Sequence, residues 1–83
     1  MNILILPIAE KQLRKLPVDI AKVILAKIYS IRDNPLGHIE RLKGGRMWKL
    51  RIGDYRAILV ISTKDNIINV IKIGHRKNIY KKL

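Results

Sequence analysis

Eighty-three residues without a cysteine make one small domain, residues 1–83, with neither disulfides nor thiolate metal sites. The formal net charge is +12 and it is uneven: residues 1–40 carry six Lys/Arg against four Asp/Glu, residues 41–83 twelve against two. A cationic second half of this kind suits nucleic acid first, with an anionic membrane or an acidic protein partner second.

The core has to be aliphatic, since isoleucine dominates, Phe is absent and Trp48 is the only tryptophan. Residues 3–6 form a fully apolar run before Pro7 and predict a buried strand. That run is too short to span a bilayer and lacks a signal-peptide pattern, so a soluble cytoplasmic protein is expected. From Ile8 the apolar spacing changes to four and three residues through Ala9, Leu13 and Leu16, which predicts a helix ending before Pro17. A second helix follows, with Pro17 in its first turn, Ile20, Val23, Ile24, Ile28 and Ile31 on its buried stripe, and Asn34-Pro35 as its stop. The short join makes the two an antiparallel helical hairpin.

Residues 35–45 read as a loop anchored in the core by Leu42. Three strands are then predicted, over residues 46–52, 55–62 and 67–74, connected by Gly53-Asp54 and by the polar turn 63–66. The expected fold is α+β: an N-terminal strand, a helical hairpin, and a three-stranded antiparallel meander forming one sheet on the helices, with a short basic C-terminal tail.

In the first of these strands Trp48, Leu50 and Ile52 point one way and Met47, Lys49 and Arg51 the other. A two-residue turn at Gly53-Asp54 then sets Ile52 opposite Tyr55 and Arg51 opposite Arg56. Two cations about 5 Å apart repel by roughly 3 kcal/mol at an effective dielectric near 20. A polyanion between the guanidinium groups would explain why the sequence tolerates this. The third strand returns beside the second, bringing Gly74, His75 and Arg76 near Tyr55 and Arg56. A two-residue turn at Asp65-Asn66 sets His75 opposite Arg56, and a different turn moves the pairing by one position. Lys49, Arg51, Arg56, His75 or Arg76, and Tyr80 in the tail are therefore expected on one concave face. Lys43, Arg46, His75, Lys77, Lys81 and Lys82 are expected to bind RNA around them. No carboxylate is expected among them, because Asp54 and Asp65 sit in turns and the other acids precede residue 41.

Magnesium-dependent hydrolysis needs clustered carboxylates, and two histidines without a nearby acid or cysteine make a poor zinc site, so neither metal nor cofactor is expected. What remains is RNA cleavage by the substrate's own 2′-hydroxyl. It needs cations around the phosphorane, which the arginines supply, and proton transfers by Tyr80, Lys49 or His75.

The string LKGGRMWKLRIGDYRAILVI, followed by VIKIGHRKNIY, resembles the RelE branch of the RelE/ParE toxin superfamily over nearly the whole chain. The resemblance implies a type II toxin that enters the ribosomal A site, cleaves messenger RNA there, and is held inactive by a cognate acidic, RelB-like antitoxin in a hetero-oligomer. It matches Lys49, Arg51 and Arg56 to the basic residues of the family's central strands, Arg76 to the arginine after the last strand, and Tyr80 to the tail tyrosine. Arg51 stands where some members carry lysine, which removes it as a base, and the Arg76 to Tyr80 spacing is shorter than in some members. Two other readings are a gyrase-poisoning toxin, as in the ParE branch, and a basic nucleic-acid-binding protein without catalysis.

Overall fold

The chain runs through β1 (Asn2–Ile5), α1 (Pro7–Arg14), α2 (Val18–Ser30), a 3-10 turn (Pro35–Gly37), β2 (Ile39–Arg41), β3 (Met47–Ile52), β4 (Tyr55–Ser62) and β5 (Ile67–His75), in a computed structural model that describes residues 1–79. The strands make one five-stranded sheet in the order β1-β5-β4-β3-β2. Among the described residues only the β1–β5 pair is parallel, running from Asn2↔Ile67 to Ile5↔Val70; the other three pairs are antiparallel. The class is the expected α+β.

Pro7 opens α1 at a position where its missing N–H is no loss, and the helix ends at Arg14, two residues short of the expected Leu16. Helix α2 stops at Ser30 rather than at Asn34, although Ile31 just beyond it is still buried. Its packed side is centred on Ile24 and Ile28, with Ile20, Ala21 and Leu25 half-buried around them. Val23 lies about 100° from Ile24 on the helix wheel and faces solvent, contrary to the expected stripe. Ala9 and Leu13 of α1 join Ile24, Ile28 and Ile31 over Leu50, Ile52, Ala57, Leu59, Ile68, Val70 and Ile73 of the sheet.

Three departures bear on function. The expected loop 35–45 contains the edge strand β2, and its core anchor is Ile39, opposite Leu50, while Leu42 stays half-buried outside the core. The β4–β5 connection is the expected four-residue turn 63–66 and not a two-residue turn at Asp65-Asn66, and β5 carries a bulge: Leu59 pairs with Val70 but Ile58 with Lys72, leaving Ile71 as the extra residue. Residues 76–79, after β5, fold back on the face of the sheet away from the helices. There Ile79 is fully buried, and a Cβ added to Gly74 would lie 3.1 Å from its Cδ1. Ile58, on that same face, is fully buried as well.

Candidate nucleic-acid interface

With Trp48, Leu50 and Ile52 committed to the helix side, strand alternation sends Met47, Lys49 and Arg51 to the open side. The register Arg51↔Arg56, Arg56↔Gly74, Lys49↔Ile58 and Ile58↔Lys72 puts four cations, Lys49, Arg51, Arg56 and Lys72, on this face. Lys72 escaped the sequence reading because simple alternation from Ile68 and Val70 would have buried it. The bulge at Ile71 is what turns it outward.

The densest part lies where the β3–β4 turn meets the end of β5. Gly53 has φ +58°, as such a turn requires. Arg56 folds back over it, Nη1 donating to the carbonyls of Gly53 at 2.8 Å and Tyr55 at 2.7 Å. Arg51, directly opposite, is exposed. Among the described residues neither arginine meets a carboxylate within 4 Å. The backbone N–H of Arg76 donates to the Asp54 carbonyl at 2.8 Å, and its Nε lies 3.9 Å from Asp54 Oδ1, so Arg76 is fastened to the same turn.

His75 does not join them. The bulge makes Gly74 the partner of Arg56 and pairs His75 with Tyr55, on the helix side of the sheet. The two rings meet edge to face with centroids 5.7 Å apart. His75 organises the following turn instead: Nδ1 accepts the Lys77 N–H at 3.2 Å, and its carbonyl accepts from Asn78 and Ile79. In the neutral ring this puts the proton on Nε2. Lys77 is exposed in that turn.

The expectation that no carboxylate reaches this face fails at Glu40. Strand β2 sets Glu40 opposite Lys49, with Oε2 3.4 Å from Nζ. The carboxylate side chain is 77% exposed, so the ion pair contributes little to stability, but it gives the strands of the open face an acid among the described residues. Lys43 and Arg46 belong to the β2–β3 loop, beyond the far end of β3 from the Gly53 turn. Strand rise puts the two ends about 17 Å apart. Arg41 stacks over Trp48 at 5.6 Å near that loop, on the other face of the sheet. Tyr80, Lys81 and Lys82 lie outside the described residues.

The sequence profile of the ParE toxin of type II toxin–antitoxin systems, parDE, matches residues 3–80. The chain is 34% identical over 76 residues to RelE1 of Methanocaldococcus jannaschii, assigned as a toxin, covering 86% of this chain and 84% of that one. Its fold is similar to the toxin–antitoxin complex RelBE2 of Mycobacterium tuberculosis, with a TM-score of 0.81 at 20% identity, covering 90% and 96% of the two chains. It is likewise similar to the RelB–RelE antitoxin–toxin complex of Methanococcus jannaschii, with a TM-score of 0.74 at 26% identity over 96% and 98%.

Proposed function

Because this chain belongs to the ParE/RelE toxin family of type II toxin–antitoxin systems, we propose that it is an endoribonuclease that cuts messenger RNA in the ribosomal A site and is neutralised by an acidic, RelB-like antitoxin. The observation that supports cleavage is the Arg51–Arg56 pair, two like charges kept opposite each other on an open face. Poisoning of gyrase, the alternative within the family, does not call for such a pair. The antitoxin partner is supported by the solved relatives, which are complexes of a RelE chain with a RelB chain.

In this reading the 2′-oxygen of the RNA attacks the adjacent phosphorus and the P–O5′ bond breaks, leaving a 2′,3′-cyclic phosphate and a 5′-hydroxyl. Arg51, Arg56 and Arg76 balance the charge that builds on the phosphorane. The proton of the 2′-hydroxyl and the proton for the leaving oxygen pass through Lys49, Tyr80 and Glu40. Of these three, only the ionised carboxylate of Glu40 accepts a proton without first losing one. Lys43, Arg46, Lys72, Lys77, Lys81 and Lys82 hold the RNA and ribosomal backbone by charge.

Primer extension on translating ribosomes tests this: codon-phased cuts are expected, with naked RNA cut poorly, because a cationic face without a strong base needs an external scaffold to bend RNA for in-line attack. Robust cleavage of free RNA, or activity lost to a chelator, would sink the mechanism. Gyrase-dependent DNA breaks with intact messenger would assign the chain to the other branch. RNA binding without cuts on ribosomes or free RNA would leave a module without chemistry.

A further inference from the structure

The two halves of β5 are out of phase. Ile68 and Val70 enter the core two residues apart, but the next core side chain is Ile73, and the skipped residue Ile71 is the bulge. Had the first register continued, Arg56 would face Ile73, and Gly74 would turn toward the helices. The bulge instead puts Gly74 opposite Arg56 and beneath Ile79, and from there the chain reaches the Arg76 N–H bond to Asp54.

The bulge sits where β5 loses its other neighbour. The last β1 pair is Ile5↔Val70, and the Leu6 N–H closes on the Val70 carbonyl at 3.0 Å. Beyond Val70 no described strand flanks β5 on that side, and a backbone N–H left there without an acceptor is unfavourable. The Ile73 N–H is met by a side chain from 61 residues away: Gln12 of α1 accepts it through Oε1 at 2.6 Å. Gln12 does there what a sixth strand would have done.

We infer that Gln12 is a positioning residue for the Gly74–Arg76 corner, fixing the bulged register that sets Arg76 against the Arg56 turn. Its effect on cleavage rests on the reading of the corner given above, whereas its effect on register does not. A general support for α1 would act differently: it would depend on the bulk of the side chain, whereas positioning depends on the acceptor oxygen.

Two variants separate these. Gln12→Met keeps the length and removes the acceptor; Gln12→Glu keeps an oxygen at the same reach. In amide exchange on the isolated protein, Gln12→Met is expected to speed exchange at Ile73 and Arg76 about tenfold or more while the Leu50 and Leu59 amides stay protected, and Gln12→Glu to restore protection. On translating ribosomes, Gln12→Met is expected to lower the maximal cleavage rate about tenfold with little change in the half-saturating concentration, and Gln12→Glu to recover it. Uniform loss of protection across the sheet, or equal effects of the two variants, would reduce Gln12 to a packing residue. Altered exchange at Ile73 with an unchanged cleavage rate would show that the bond positions nothing. If the wild-type chain does not cut RNA, the reading of the corner fails, and exchange at Arg76 still decides whether Gln12 holds the register.

Discussion

Arg51 and Arg56 stand opposite each other across the β3–β4 hairpin, and only Arg56 is tied down: its guanidinium is drawn back to the carbonyls of Gly53 and Tyr55 while Arg51 is left to solvent. The two therefore respond differently to removal. Arg51→Ala relieves repulsion and breaks no bond, so its melting temperature should be unchanged or higher. Arg56→Ala takes away two charge-assisted hydrogen bonds at an open turn and should lower stability by about 1 kcal/mol. Both should slow cleavage on ribosomes, and a paired melting and rate measurement separates the two effects.

Glu40 and Lys49 lend themselves to a second experiment. Glu40→Gln keeps the shape of β2 and removes the proton acceptor, so the melting temperature should move little, as for other exposed ion pairs. The single-turnover cleavage rate should fall by about 100-fold if Glu40 takes the 2′-hydroxyl proton. Glu40→Asp, with its shorter reach, should fall between the two.

Most of the scaffold could be read from the residues. Alternation over residues 47–52 and the Gly53-Asp54 turn together dictate the Arg51↔Arg56 pairing. The stripe through Ile24, Ile28 and Ile31 dictates which side of α2 is buried. Strand β2 escaped because three residues, Ile39–Arg41, are too few for a period to register, and Glu40 escaped with it. The turn of His75 to the helix side has a visible trace: core positions Val70 and Ile73 lie three apart, a spacing that an unbroken strand with one buried face does not produce. The burial of Ile79 had no such trace, since the apolar residues of the basic stretch 76–83, Ile79, Tyr80 and Leu83, are too few for a period to register.

The Ile79 contact yields a third prediction. Ile79→Ala removes a fully buried side chain from the open face and should destabilise the protein by about 2–4 kcal/mol, read from the denaturation midpoint. Gly74→Ala should cost about 1 kcal/mol, because the crowded atom is the end of the Ile79 side chain and can shift. It should also speed proteolysis of the chain after His75.

The last prediction concerns neutralisation. An acidic antitoxin segment that folds on the open face would meet Lys49, Arg51, Arg56 and Lys72 on one side and the apolar footing of Met47 and Val60 on the other. Its association rate should fall steeply with added salt, because steering is screened beyond about 8 Å at physiological ionic strength. Stopped-flow association across salt concentrations, with amide exchange in the complex, checks this. Salt-insensitive association with protection confined to α1 and α2 would put the antitoxin on the opposite face.

The parallel pairing of β1 with β5 joins residues as far apart as Asn2 and Ile67. During synthesis the first strand thus waits, with Ile3 and Ile5 unburied, until the chain beyond Ile67 has been made. The helical hairpin and the β3–β4 hairpin can form from local contacts in the meantime, but the sheet they share has a vacancy where its fourth and first strands must be bridged. Contacts of such long sequence separation slow folding, and a chain interrupted before residue 67 has no sheet into which its N-terminal strand can insert. A chain stopped before residue 67 therefore carries Lys49, Arg51 and Arg56 without the strand that brings Lys72, Gly74 and Arg76 beside them, and assembly of the cationic face waits for β5.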